Sequence, residues 1–180
     1  GGPLINNKYE VIGINSSGIA PDTSENVGYA IPINFFKRIQ KQMTSGKKLI
    51  IFKPSLGIKY QHIDDEIKKY YNSKNSGVLV SHIAKNSSLH NKISKGDILC
   101  KIDNMDIDNY GESLVKWNAE RIAINNILPR YNIGDNIKLQ IWCTKESKTK
   151  IINHKLQSNN DIFNIREKYP YFENINYLVF

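Results

Sequence analysis

The amino-acid sequence predicts a mainly β chain with short helices, and three patterns predict it. Apolar and polar residues alternate through Ile137, Leu139 and Ile141, the period of a half-buried strand. Short apolar runs such as Val11-Ile12-Gly13-Ile14 and Gly77-Val78-Leu79-Val80 are separated by Gly, Pro, Asn and Asp, which is turn chemistry. Helical spacing is confined to brief stretches. The 180 residues suffice to bury a core and to build one or two domains.

Taken in order, Pro3-Leu4-Ile5 and Tyr9–Ile14 read as strands joined at Asn6-Asn7. Ser16 to Asn26 contains Gly18, Pro21, Asp22 and Ser24 and reads as a loop. Gly28 to Ile33 is a short strand ended by Pro32. Asn34 to Ser45 is a helix, with Asn34 as its cap, Phe35, Phe36, Ile39, Gln42 and Met43 as its stripe, and Gly46 as its stop.

Pro54 to Tyr60 is a loop leading into a strand, and Asp64 to Tyr71 is a short helix with acid first and lysine last. Gly77 to Val80 is a strand, and Asn86-Ser87-Ser88-Leu89 opens another short helix. Lys95 to Leu99 and Ile102-Asp103-Asn104 form a strand and turn, with Asn104 placed for positive φ. Asn118 to Leu128 reads as an amphipathic helix closed by Pro129. Ile133-Gly134-Asp135 turns into the alternating strand, and Lys150 to Leu156 is its hairpin partner.

Two sets of residues carry a family resemblance. Gly1-Gly2-Pro3, Val11-Ile12-Gly13-Ile14-Asn15 and Gly28-Tyr29-Ala30-Ile31-Pro32 resemble the end of the chymotrypsin-type barrel of the HtrA/Deg serine proteases. Leu56-Gly57-Ile58, Gly96-Asp97-Ile98-Leu99 and Ile102-Asp103-Asn104 resemble the PDZ module that follows it. Tyr177-Leu178-Val179-Phe180 is similar to the carboxylate loop of a second PDZ. The resemblance therefore implies three parts: 1–45 as barrel end and closing helix, 46–158 as a PDZ domain, and 159–180 as the start of a second.

The resemblance also implies roles. The nucleophilic serine would precede Gly1, so no catalytic residue is assigned among these 180, and alone they are expected to bind peptides without cutting them. Ile14 and Asn15 would pair with the substrate backbone, and Gly28 and Ala30 would leave room for an apolar P1 side chain. Leu56, Gly57 and Ile58 would receive a peptide's C-terminal carboxylate, the peptide adding as a strand to an open sheet edge. The segment Glu120-Arg121-Ile122-Ala123 resembles a groove helix of eukaryotic Deg members. Arg121 is either a groove contact or an ordinary helix-surface residue, solvated or paired with a neighbouring acid, and the insertion Asp106 to Lys116 bears on whether the groove is open.

Composition narrows the remaining classes. The formal net charge is +8, which invites a nucleic-acid reading. The 25 basic residues, however, are mostly scattered lysines in a chain rich in Asn and Ile, and Arg forks suited to phosphate or base edges are few. No apolar run approaches the roughly 20 residues that cross a bilayer. Cys100 and Cys143 lack metal spacing, and Cys100, alternating with Ile98 and Ile102, reads as a core residue. The four histidines form no ligand cluster, and Asp103, Asp106 and Asp108 read as a solvated turn, since a calcium loop needs more ligands. No metal or cofactor is expected.

The reading is thus part of an ATP-independent serine endopeptidase of protein quality control, acting on unfolded or C-terminal peptide segments and homo-oligomeric as a whole protein. The alternative is a non-catalytic PDZ scaffold or chaperone that binds peptides. Both ends of the sequence read as cuts through a longer polypeptide, Gly at the start and an apolar Leu178-Val179-Phe180 at the end.

Overall fold

A computed structural model of the chain describes residues 1–18, 28–43, 52–71 and 73–158. The chain divides into two compact units, Gly1–Ile51 and Phe52–Phe180.

The first unit is a three-stranded antiparallel sheet, β1 (Pro3–Ile5), β2 (Val11–Gly18) and β3 (Gly28–Pro32), followed by α1 (Ile33–Met43). Asn6 makes the β1–β2 turn: its side-chain oxygen accepts from the N–H groups of Lys8 and Glu10, both at 2.9 Å. Such local side-chain bonds are why Asn belongs in turns. Two bulges leave Ile12 and Ser16 without an opposite residue. Gly13 is buried, and a Cβ there would lie 3.1 Å from the carbonyl oxygen of Ile31. Helix α1 starts directly after Pro32, one residue earlier than the sequence suggests. Asn34 therefore sits in the first turn and is not the cap. The expected stop at Gly46 lies outside the described residues, as do the side chains of Gln42 and Met43 and most of the Ser16–Asn26 loop.

The second unit is built on a sheet in the order β12-β11-β7-β6-β5. Its strands are β5 (Ile58–Gln61), β6 (Val78–Ile83), β7 (Ile98–Ile102), β11 (Asn136–Cys143) and β12 (Lys148–Lys155), with β8 (Met105–Asp106) returning on β7. Two small pairs complete it: β4 (Pro54–Ser55) with β13 (Gln157–Ser158), and β9 (Glu112–Leu114) with β10 (Arg121–Ala123). The alternation expected of β11 is realised, with Ile137, Leu139, Ile141 and Cys143 buried on one face. They meet Val78, Val80, Leu99 and Ile102 in the main core. Each fully buried Leu or Ile contributes roughly 1.5–3 kcal/mol.

The opposite face carries a smaller cluster of Ile63, Leu79, Ile98 and Cys100, against which Ile67 and Tyr71 pack. Ile67 belongs to α2 (Asp65–Tyr70). Asp64 caps this helix, its carboxylate accepting from Ile67 N at 2.7 Å, and Lys68 and Lys69 stand at the other end. Asp64→Ala should lower the unfolding free energy by about 1 kcal/mol, read as a shift in the urea midpoint without a change of slope.

Four expectations are corrected. Cys100 is buried, but it does not share a face with Ile102. Gln140 stands opposite Lys101 and Ile141 opposite Leu99, so Cys100 is the extra residue of a bulge and the alternation changes phase there. Asn86 to Leu89 is not a helix but a run of turns, in which Ser87 N bonds Ala84 O and His90 N bonds Ser87 O. The serine hydroxyls are committed elsewhere, and such bonds compete with helix. Asn118 to Leu128 is mostly not a helix either. Strand β10 pairs with β9 across the loop 115–120, and only α3 (Ile124–Ile127) and one 3-10 turn (Leu128–Arg130) remain helical. Finally, Asp103 has the positive φ (50°), not Asn104. Asp103 is locked there by Tyr131 Oη and Lys138 N, which donate to its carboxylate at 2.7 and 2.8 Å. The expected start of a second PDZ lies outside the described residues.

Candidate functional site

The loop Pro54 to Ile58 is placed from below. Leu56 is buried in the main core, and Ile58 packs half-buried against it. Gly57 has φ +69°, a conformation that costs glycine little and other residues more. The carbonyl of Leu56 accepts from Ser87 Oγ at 2.9 Å, and that of Gly57 accepts from Ala84 N at 2.8 Å.

Those two bonds decide which way the loop's donors face. A trans peptide directs its N–H opposite to its C=O, and the described residues contain no cis bond. With both carbonyls turned toward the segment 84–87, the N–H groups of Gly57 and Ile58 turn away from it. Ladder geometry agrees for Ile58. Ile58 faces Ile83, and the bond from Ala84 N to Gly57 O makes this a non-hydrogen-bonded pair. The N–H and C=O of Ile58 therefore point to the outer side of β5. That strand ends the sheet order, so this side is an open edge among the described residues. Gly57 N donates to Ser55 Oγ at 3.0 Å.

The insertion Asp106 to Lys116 packs toward the far end of β5. Ile63 N donates to Asn109 O at 3.0 Å, and the rings of His62 and Tyr110 meet edge-on at 5.8 Å. Gly111 lies over Tyr60: a Cβ on it would be 3.1 Å from that ring. Asp108 organises the turn, accepting from Tyr110 N and Glu112 N at 2.9 Å each. It also pairs with Arg121 at 2.9 Å, so of the two readings of Arg121 the ion pair is the one formed. The other two acids of the cluster are engaged separately, Asp103 with Tyr131 and Asp106 with Lys101.

A polar network beneath the loop gives no warning in the sequence. His154 is fully buried, with Nδ1 2.9 Å from Ser88 Oγ. Burial, helped by the charge of Lys92, lowers its pKa to about 4, so the ring is neutral at pH 7. Ser88 N donates to Gln157 Oε1 at 2.7 Å, and Gln157 pairs with Ser55 across β13 and β4. The two Ser88 bonds join residues 66 and 69 apart in sequence. The only local signal is that His154 shares its face of β12 with Ile152.

In the first unit, Asn15 and Ala30 stand directly opposite, Ile14 faces Ile31, and Gly28 faces Gly18 beyond the Ser16 bulge. Asn15 N donates to Gly2 O at 2.9 Å. Ile14 is exposed, and a Cβ on Gly28 would meet no atom within 4 Å. The four residues expected to handle substrate thus lie on two adjacent strands.

Comparison with known proteins decides the family. The chain is 32% identical over 144 residues to a probable periplasmic serine endoprotease, DegP-like, of Rickettsia prowazekii, covering 78% of this chain. The chain belongs to the HtrA/Deg family. It is also 28% identical over 144 residues to the putative protease Do-like 13 of Arabidopsis thaliana, again over 78% of this chain. No family model matches. Among solved structures, the HtrA-type protease AlgW with a decapeptide superposes with a TM-score of 0.58 at 16% identity, over 87% of this chain and 45% of that one. This HtrA/Deg chain therefore has the mainly β fold of those proteases. It spans about a quarter of the length of these curated relatives, 26% and 28%.

Proposed function

We propose that this HtrA/Deg chain handles substrate within a serine endopeptidase, taking hold of peptides by their free C-termini. Residues 1–45 would end the protease barrel, 46–158 would be the PDZ domain, and 159–180 would begin a second. The observation that carries the reading is the outward N–H pair of Gly57 and Ile58 at an open sheet edge. A peptide entering there would continue the sheet beyond β5, with its carboxylate on these donors and its last side chain against Ile58 and the edge of Leu56. The carboxylate would displace the Ser55 hydroxyl from Gly57 N, exchanging a neutral bond for a charge-assisted one. That a related protease has been solved with a decapeptide supports a peptide ligand. On the barrel side, Gly28 and Ala30 would leave the P1 side chain its space; the expected pairing of Ile14 and Asn15 with the substrate backbone is dropped, because Ile14 lies between Pro3 of β1 and Ile31 of β3 and Asn15 N–H is bonded to Gly2 O.

The test is direct. A fluorescein-labelled decapeptide ending in valine should bind the chain as the free acid. Its C-terminal amide should bind at least about tenfold more weakly, since bonds to a charged group are worth roughly 1.5–3 kcal/mol each. Equal binding of the two forms would remove the carboxylate from the mechanism.

A further inference from the structure

We infer that Ser87 is a positioning residue for peptide recognition, holding the Leu56–Gly57 peptide plane so that its N–H meets the ligand's carboxylate. This rests on the peptide-binding reading above. The hydroxyl is buried and fully used: it donates to Leu56 O at 2.9 Å and accepts from Leu89 N at 3.2 Å. Leu56's side chain fixes where the loop sits, but a side chain in a core does not fix the rotation of the next peptide plane. That rotation is set by what the plane's two polar groups bond to: Ser55 Oγ on the N–H, a bond the carboxylate would replace, and Ser87 Oγ on the carbonyl, which remains when the ligand is bound.

The seat that holds Ser87 is itself fixed from behind. Ser88 is bonded through its N–H to Gln157 and through its hydroxyl to His154, and Gln157 Nε2 donates to Asn86 O at 3.1 Å. Gln157 in turn belongs to the strand pair that carries Ser55. The turn 86–88 is thus clamped against β12 and β13 and presents one hydroxyl upward to the loop. Losing that hydroxyl should let the plane rotate, costing carboxylate recognition more than it costs the fold.

The experiment measures the acid and amide forms of the same decapeptide on the full chain and its variants, by fluorescence polarisation. Ser87→Ala should weaken the free acid about five- to tenfold and leave the amide unchanged. Gln157→Ala, at a half-buried site, should shift the acid-to-amide ratio the same way by about two- to threefold, and serves if Ser87→Ala does not fold. An unchanged ratio in both variants, or equal weakening of both peptides, would overturn the assignment and make Ser87 merely structural. A parent chain that does not distinguish acid from amide would instead overturn the peptide-binding reading itself.

Discussion

Gly77→Ala is expected to unfold the second unit or leave it barely stable. Gly77 enters β6 with φ +151°, a region essentially closed to L side chains. A Cβ there would stand 2.3 Å from the carbonyl oxygen of Leu99 and 2.8 Å from Ile98 Cγ2. Neither can retreat, because Ile98 and Leu99 lie fully buried in the middle of the sheet, with a core on each face. Strain of roughly 1–3 kcal/mol from the backbone adds to a similar cost from overpacking, about 4 kcal/mol in all. Against a typical stability of about 5–15 kcal/mol this is a large fraction. Urea denaturation of the variant beside the parent measures it, and coincident midpoints would mean that β6 and β7 part more easily than their burial implies.

Acid should destabilise the chain through His154, and the direction follows from its environment. Its folded pKa is depressed from 6.5 to about 4 by burial. Below 6.5 the unfolded chain therefore binds a proton that the folded chain refuses. The contribution of the neutral ring is complete above pH 6.5 and is lost progressively as pH falls toward 4. At pH 4.5 the loss should reach about 2–3 kcal/mol. Carboxylates elsewhere also titrate there, so the informative quantity is a difference. His154→Gln removes this titration, and its stability should fall less than the parent's between pH 7 and 4.5 by that amount. Parallel curves for the two proteins would show that the folded chain admits the proton at little cost.

What the sequence made legible was whatever is decided by near neighbours. The Asn6 turn, the Asp64 cap and the alternation of β11 each follow from a few consecutive residues, and each is found. The segment Asn118 to Leu128 failed because its outcome depends on a partner strand. The segment as a whole reads as an amphipathic helix, yet β9 is within reach and takes the backbone bonds of Arg121-Ile122-Ala123. Asn104 lost the positive φ to Asp103 for a similar reason. Intrinsic preference favoured Asn, but the carboxylate of Asp103 is fixed by Tyr131 and Lys138, some 28 and 35 residues away. Around the loop, Leu56, Gly57 and Ile58 could be named from a short motif. The groups that orient them, Ser87 and Gln157, could not, since nothing local marks a hydroxyl that bonds across 31 residues.

The bulge at Cys100 makes the length of β7 itself a structural quantity. Upstream of it Leu99 faces the main core, and downstream Ile102 faces the same core, three positions on where strict alternation would require an even number. Lys101, in between, is released toward Asp106 at 2.7 Å. Deleting Cys100 would remove the bulge and leave Lys101 opposite Gln140 and Ile102 opposite Leu139 in plain alternation, with Ile102 still facing the main core. Changing the identity of residue 100 would alter only what fills one small site beside Ile98 and Leu79. The bulge therefore lets β7 place one extra side chain on the far face of the sheet without changing which of its residues face the main core.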